Sequence, residues 1–418
     1  MSKRSDTEAA ARDLADEILA KFDRTSIDLV CLFFSAHHAS KAELLAAMIR
    51  QSLHTRMMVG CSGEGVIAGA EELETAPAIT LWAASLPEVT LEPIRSSFSP
   101  VQDQFRLSGW PEPSARQSSF LLLADPFTTP MREVLGLIDE RYPGTKAIGG
   151  LAGGGQGEGE NRLIFQGEML TGGLVGVQLS GPVDVRPVIS QGCRLIGDRF
   201  VVTKAEHNLI YELGGVPALD RLQAVFESLP EEDRRHAHRA LHLGIVIDEH
   251  RDRFERGDFL VRNLEDRRHA HRALHLGIVI DEHRDRFERG DFLVRNLVGA
   301  DQTAGSVAVG DVVQEGQTVQ FQLRDARSAS EDLNLLLAAD RAAHRCQPLG
   351  ALMFSCCGRG RGLFGKPNHD AATMADRLGS IPLAGFFAQG EIGPVGGRNF
   401  LHGYTACMAL FAEQDLPK

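Results

Sequence analysis

Residues 27–65 read IDLVCLFFSAHHASKAELLAAMIRQSLHTRMMVGCSGEG. Ile27 to Phe34 is a continuous apolar run rich in strand formers and too short for a helix of its own, which predicts a strand buried on both faces. Ser40-Lys41-Ala42-Glu43 has the form of a capping box, and apolar residues at helical spacing follow through Leu44, Leu45 and Met48 to Leu53. Arg56 to Val59 then predicts a second strand, ending in Gly60-Cys61-Ser62-Gly63-Glu64. The unit is strand, helix, strand, glycine-rich turn.

The same order returns twice. Residues 119–159 give SFLLLAD, a helix from about Met131 to Glu140, TKAIGG and the turn LAGGGQGEG. Residues 349–391 give ALMFS, a helix from about Asp370 to Leu378, and PLAGFF running into Gln389-Gly390-Glu391. Further strand pattern follows each unit: AITLWAASL and VTLEPIRSS, RLIFQ and GGLVGVQLS, and LHGYTACMALF. These runs lie a few residues apart, which predicts antiparallel hairpins between them, while each strand-helix-strand step predicts a right-handed parallel crossover. The expected fold class is mixed α/β, with related halves built from such units on mixed sheets. A helix capped near Ser5 or Asp6 precedes the first unit, and Pro217 to Leu229 predicts another.

Between the second and third units lies an identical tandem repeat. EDRRHAHRALHLGIVIDEHRDRFERGDFLVRNL occupies 232–264 and again 265–297. Old repeats drift, so this is a recent in-frame duplication or an assembly error. In each copy HLGIVIDE and DFLVRNL predict two strands of a hairpin. One hairpin is expected to hold the native position and the other to be an addition. Two strands around Gly310 and Gly316 and a helix from about Ser328 to His344 complete the segment, with Arg324-Asp325-Ala326 where strand gives way to helix.

The 418 residues have room for two or three domains, and 43% hydrophobic with 24% charged residues is the balance of a soluble globular chain. No apolar run approaches the roughly 20 residues of a membrane helix, and the N-terminus has no signal-peptide core, so the cytoplasm is the expected location. A net charge of -12 argues against a nucleic-acid partner. Seven scattered cysteines show no CxxC spacing. Eight of the 15 histidines belong to the duplicated copies, and the helical spacing of His238 and His242 falls on a strand-like run, so no metal is expected.

GRGLFGKP, Gly360 to Pro367, follows a strand and matches most of a phosphate-binding loop, but Pro367 replaces the Ser or Thr that would hold magnesium. No nucleotide cofactor is expected. Anion binding by its backbone N–H groups with Arg359 and Arg361 is left open. Asn368 is the expected cap of the next helix, and the glycine loop 149–159 is read as a mobile surface turn in preference to a ligand lid.

The motifs FSCCGRG, PLAGFFAQGEIGP and LHGYT resemble the C-terminal half of the FIST domain, a sensory module of bacterial signalling proteins. LLLADPF, IGGLAGGG and ISQGCRLIG followed by VVT resemble its N-terminal half. The resemblance covers most of the chain and implies domains at 27–216 and 217–415, a small ligand such as an amino acid, and a separate signalling protein for output. Sharpened to residues, it makes Arg359 and Arg324 the holders of an anion and Glu391 of an amine. Asp325, Cys356, Gly360, Gly385, Gly390, Gly149, Gly150, Cys61 and Ser62 are expected around them at strand ends, where glycine lets backbone approach a ligand. Two alternatives remain: an enzyme using Cys356 as nucleophile or Glu391 as base, and an interaction adaptor.

Overall fold

The computed structural model describes residues 1–22, 26–98, 109–113, 118–238, 245–246, 259–260, 274–280 and 292–414. The chain forms two compact units, Met1–Ser190 with Leu333–Lys418, and Gln191–Asp332.

The first unit opens with α1 (Thr7–Phe22), capped by the Asp6 carboxylate on the Ala9 N–H at 2.7 Å. Its first repeat is β1 (Leu29–Ser35), a 3-10 turn at Ala36–Lys41, α2 (Ala42–Leu53) and β2 (Met57–Gly63). The short hairpin β3 (Val66–Ala68) and β4 (Glu71–Leu73) follows, then β5 (Ile79–Ala84) and an additional strand, β6 (Thr90–Ser96). The second repeat is β7 (Ser118–Ala124), α3 (Met131–Arg141), β8 (Lys146–Leu151), the hairpin β9 (Leu163–Phe165) and β10 (Glu168–Leu170), and β11 (Leu174–Ser180). It too is followed by an added strand, β12 (Val183–Ser190).

The second unit then contains β13 (Cys193–Glu206), β14 (Leu209–Leu213), β15 (Val216–Pro217), α4 (Ala218–Ser228) and α5 (Glu231–His238). After these come β16 (Ile245–Val246), β17 (Phe259–Leu260), β18 (Leu274–Val279), β19 (Phe292–Asp301), β20 (Ser306–Val309) and β21 (Thr318–Arg324). Helix α6 (Ala326–Ala343) leads back to the third repeat. That repeat is β22 (Gly350–Cys356), α7 (Gly360–Phe364), α8 (His369–Leu378), β23 (Leu383–Ala388), the hairpin β24 (Glu391–Val395) and β25 (Arg398–His402), and β26 (Ala406–Glu413).

The three repeats share one topology. In each, the first two strands pair in parallel, with Leu32 opposite Gly60, Leu122 opposite Gly149 and Met353 opposite Gly385. The repeat's last strand returns antiparallel beside its first, as β5 beside β1, β11 beside β7 and β26 beside β22. The hairpin after the second strand leaves its own sheet: β3 pairs with β23, β9 with β2, and β24 with β8. The exchange is cyclic, so each repeat lends its hairpin to another.

This corrects the expected neighbours. β5 and β6 lie in different sheets, as do β9 and β11, and β25 and β26. Short connections permit an antiparallel return, but the glycine-rich turn after each second strand carries the chain sideways onto the next sheet. The proposed capping box fails as well, because Ser40 lies inside the 3-10 turn and α2 starts at Ala42 with no side-chain cap.

The inner faces of the three sheets form one core, including Leu29, Cys31, Phe33, Leu121, Leu123, Leu352, Phe354 and Phe386. Helices cover the outer faces: α1 and α2 with Leu14, Leu45 and Ile49, α3 with Val134 and Ile138, and α8 with Met374 beside Leu333 and Leu337. Strands covered on both sides must be apolar at every position, which is why β1 and β7 appear as unbroken hydrophobic runs. The paired glycines are forced by contact. A Cβ at Gly60, Gly149 or Gly385 would lie 2.1, 1.8 or 1.9 Å from the carbonyl oxygen opposite.

In the second unit six strands close into an antiparallel barrel in the order β13, β21, β18, β19, β20, β14, with β14 pairing back to β13. Its interior holds Val202, Ile210, Leu276, Ile278, Val307, Val319 and Phe321, together with Leu222 and Val225 of α4. The long β13 shifts register between Leu195 and Arg199, the kind of irregularity that bends a strand around a barrel.

The second copy of the duplicated segment supplies β18 and β19. The described parts of the first copy, β16 and β17, pair with each other, Val246 opposite Phe259 and Ile245 opposite Leu260. These match the pairs Val279–Phe292 and Ile278–Leu293 of the second copy in identical register. The junction explains which copy is in the barrel. β19 continues beyond the repeat, and Gly299, Ala300 and Asp301 pair with Ala308, Val307 and Ser306 of β20. The first copy runs instead into Glu265-Asp266-Arg267-Arg268, four charges that cannot extend this ladder favourably.

Candidate functional site

The glycine-rich turns bring the carboxyl ends of the central strands of the first unit together. Glu64 donates its N–H to the Phe387 carbonyl at 3.1 Å, Gly153 to Ser62 at 3.0 Å and Gln389 to Leu151 at 3.2 Å. Each donor lies four residues after its repeat's paired glycine, and each acceptor two residues after another's. The three turns therefore brace one another in a ring.

Because register is shared, the repeats can be compared position by position. The first residue of each lent hairpin lies opposite the residue after the paired glycine: Val66 opposite Phe386, Leu163 opposite Cys61, and Glu391 opposite Gly150. Val66 and Leu163 are buried aliphatic residues, as that position in the core requires. Glu391 is equally buried, at 0% exposure, and its Oε2 accepts the Thr405 N–H at 3.1 Å. Gly150 stands where the other repeats carry Cys61 and Phe386, so the carboxylate faces a small residue instead of a side chain. A Cβ there would meet Ala388 Cβ and the Phe386 ring at 3.1 Å.

The first strands end in polar side chains. Ser35 Oγ accepts the Ala78 N–H at 3.0 Å. Asp125 accepts from the Phe127 and Thr128 N–H groups, from Thr128 Oγ1, and from Asn161 Nδ2 at 3.0 Å. Cys356 Sγ accepts the Gly358 N–H at 3.4 Å. Next to it the Cys357 Sγ lies 3.0 Å from the Ala388 carbonyl oxygen, and burial, with Glu64 beside it, pushes that thiol well above its ordinary range. A thiol held protonated is a poor nucleophile. His369 and His402 are turned to other tasks, His369 to Asp370 and His402 to the Gly393 carbonyl. Tyr404, at φ +62, packs over Gly358, where a Cβ would come within 3.1 Å of the ring.

Arg359 is fully buried, and its guanidinium forks onto Asp370, Nε to Oδ2 at 2.6 Å and a terminal nitrogen to Oδ1 at 2.9 Å. Burial pushes the Asp370 carboxyl up, but Arg359 and then His369 outweigh it and hold the group below the usual carboxylate range. His369 in turn stacks on Phe364 at 3.5 Å. The lent hairpin β3–β4 closes this cluster from the edge. Glu72 accepts the Ala371 N–H at 2.8 Å and donates its own N–H to Asn368 Oδ1. Asn368 thus holds the hairpin, with no side-chain cap on α8. Burial, then the neighbouring Asp370, pushes the Glu72 carboxyl up to about 7.

The phosphate-loop-like GRGLFGKP folds as the single turn α7. Its Arg361 N–H is taken by the Glu74 carboxylate at 2.8 Å, and a Cβ on Gly360 would lie 2.8 Å from that same group. An internal carboxylate occupies the place left open for an anion.

The loop after β8 is an insertion relative to the other two repeats, and it is pinned. Asn161, fully buried, bridges Asp125 and the Gly155 N–H, and Gln389 Nε2 donates to the Gly155 carbonyl at 3.0 Å. A Cβ on Gly154 would meet Ala36 Cβ at 2.9 Å and the Gly63 carbonyl oxygen at 3.1 Å. A mobile surface turn was the expectation; side chains from two repeats hold it across the strand ends.

Of the expected residues, Cys356, Arg359, Gly360, Gly385, Gly390, Glu391, Gly149, Gly150, Cys61 and Ser62 all belong to the first unit, at or beside these strand ends. Cys61 is buried in the inner core, Ser62 Oγ accepts the Arg162 N–H at 3.1 Å, and Gly390 packs on Leu151 and Leu401. Arg324 and Asp325 belong to the second unit. There Asp325 caps α6 on the Ser328 N–H at 2.7 Å and pairs with Arg194. Arg324 lies near His275, whose imidazole is pushed down to about 3 by burial and then by that guanidinium. His242, named for its helical spacing, lies outside the described residues. Sequence reading missed Glu72, Asn161 and Thr405. Each acts through a partner on a different element, although aligning Val66, Leu163 and Glu391 would have singled out Glu391 more sharply.

Family models match the chain twice, the FIST N domain over residues 28–216 and the FIST C domain over residues 263–394. The chain belongs to the FIST family. FIST domains are a sensory and signalling family. The FIST C match begins at residue 263, so it takes in the copy whose strands complete the barrel and leaves nearly all of the other outside. FIST relatives include "Uncharacterized protein Rv0628c" of Mycobacterium tuberculosis (strain ATCC 25618 / H37Rv), 39% identical over 415 residues, covering 99% of this chain and 98% of the relative. "Uncharacterized protein Mb0898c" of Mycobacterium bovis is 38% identical over 410 residues, covering 98% of this chain and 96% of the relative. Among the described residues no helix is long and apolar enough to cross a membrane.

Proposed function

We propose that this FIST protein is a sensor that binds a small polar molecule at the braced strand ends of its first unit and passes the signal to a separate protein. The observation that carries the reading is Glu391. Placing a carboxylate in a core position costs several kcal/mol unless it is compensated, and the two equivalent positions show that the fold is satisfied by Val66 or Leu163 there. A carboxylate at the one position where the other two repeats carry aliphatic residues departs from the internal pattern, as a ligand-binding requirement would produce. Glu391 would take the amine of the ligand, an amino acid being the simplest case. Arg359 acts in this reading as a positioning residue that fixes the Cys356–Arg359 turn through Asp370.

The test is a thermal-shift screen of the full chain against amino acids, simple amines and small acids at millimolar concentration. A ligand at 100 times its Kd adds about 2.7 kcal/mol of stability. The expected result is stabilisation by an amine-bearing compound that disappears in Glu391→Leu. Stabilisation that survives the substitution, or none across the screen, would sink the proposal.

A further inference from the structure

The chain carries two identical copies of the β18–β19 hairpin, and the first copy already makes the same two strand pairs outside the barrel. We infer that the copies are exchangeable: the barrel of the second unit admits either one, and the protein interconverts between two strand registers displaced by 33 residues.

The pairing on either side of the slot supports this. β18 lies between β19 and β21, and its contacts to both come entirely from residues inside the repeat, Leu274 to Val279. The first copy can reproduce every one. Its Leu243, Ile245 and Val246 stand for Leu276, Ile278 and Val279, the first two of which face the barrel interior. Loop closure does not separate the arrangements, because each leaves one copy of the same length out of the barrel pairing and closure entropy depends only weakly on loop length. What differs is the end of β19. With the first copy inside, the Leu297–Val309 pair becomes Leu264–Val309, and the pairs from Gly299, Ala300 and Asp301 to β20 are lost. Three ladder pairs at the end of one strand set the preference for the second copy. This is a bias between two packings of one sequence, not a prohibition.

Removing either copy from the gene yields the same polypeptide, so deletion cannot tell the copies apart; point substitutions can. Leu276→Asp places a charge inside the barrel, Leu243→Asp makes the same change in the first copy, and a third variant carries both. Ile245→Cys with Val319→Cys reports occupancy of the slot by the first copy, since Ile278 lies opposite Val319 in the present register. The single-copy chain with the leucine-to-aspartate change shows the loss without rescue. Unfolding is followed by far-UV circular dichroism, because both tryptophans, Trp82 and Trp110, lie in the first unit.

The expected outcome is that Leu243→Asp unfolds like the parent and Leu276→Asp loses less than half of what the double variant loses. The 245–319 disulfide should form within one chain at least tenfold more in the Leu276→Asp background than in the Leu243→Asp background. If Leu276→Asp is as damaging as the double change, or the crosslink forms equally in both backgrounds or only between chains, the exchange does not occur.

Discussion

Replacing Glu72 by Gln should stabilise the first unit, and by an amount that grows with pH. The carboxyl has an ordinary value of 4.5 and is pushed up to about 7 in the fold, by burial and then by Asp370. The groups facing it are Asp370, Glu74 and Arg359. Because the folded value is raised, the unfolded chain releases its proton first as pH rises. Glu72 therefore contributes stability that is complete below about pH 4.5 and is lost as pH rises through about 7. A difference of about 2.5 pH units at about 1.4 kcal/mol each makes that loss roughly 3 kcal/mol. Gln keeps the acceptor for the Ala371 N–H and carries no charge. Asp370 adds no slope in this window, since its depressed value places its own loss at lower pH. His275 slopes the other way, its folded form staying neutral to about 3, but it is common to both proteins and cancels in their difference. The assay is urea unfolding followed by tryptophan fluorescence, which reports the first unit alone. The variant should match the parent near pH 4 and exceed it by a few kcal/mol at pH 8. A difference that stays flat, or a variant weaker than the parent at pH 8, would refute the account of Glu72.

Four further substitutions probe the repeats. Gly385→Ala should cost ~3 kcal/mol or more, because its Cβ would lie 1.9 Å from the Met353 carbonyl oxygen on a paired strand, whereas Gly136→Ala in α3, with nothing within 4 Å, should gain up to ~1 kcal/mol; denaturant midpoints check both. Glu391→Leu should leave the fold intact, since Leu163 fills the equivalent position, and failure of the variant to fold would contradict the alignment of the repeats. Asn161→Ala removes the bonds to Asp125 and the Gly155 N–H, so it should cost about 2 kcal/mol and speed limited proteolysis within 153–161; an unchanged cleavage rate would mean that the loop is held by something else.

What could be read from sequence followed from local pattern. The strand-helix-strand order was legible because strands buried on both faces must be apolar throughout, and α2, α3 and α8 show helical spacing. The glycine before each turn was visible too, but not its reason, since the colliding carbonyls of Leu32, Leu122 and Met353 belong to the other strand of each pair. The destination of the hairpins was not legible. β3 has three residues, and nothing in Val66-Ile67-Ala68 names β23 as its partner over β2. The same limit hid the Glu72–Ala371 and Asn399–Ala147 bonds, in which each group is satisfied from far along the chain. For Arg359 the sequence suggested a charge at the mouth, and Asp370, 11 residues on, was read only as the start of a helix.

The cyclic exchange of hairpins has a consequence for sensing. Each second strand is held on one side by its own repeat and on the other by a hairpin borrowed from another, so no repeat can shift without disturbing a second. The ring of bonds from Glu64, Gly153 and Gln389 adds the same constraint at the turns. A ligand at the strand ends therefore meets a preorganised frame, which favours binding but leaves few elements able to move in response. At these strand ends two parts depart from the shared plan: the inserted loop, tied by Asn161 and Gln389, and the Arg359–Asp370 turn, closed by Glu72 of the borrowed hairpin. If the protein senses as proposed, these two are the parts at the site free of the shared constraint. The loop is held by neutral bonds and by the Asp125, Glu160 and Arg162 side chains, whereas the turn depends on a buried carboxyl that changes charge near pH 7. If the turn is the exit, ligand affinity should follow the protonation of Glu72 and lose its dependence between pH 6 and 8 in Glu72→Gln; if the loop is the exit, that substitution should leave the pH profile of binding unchanged.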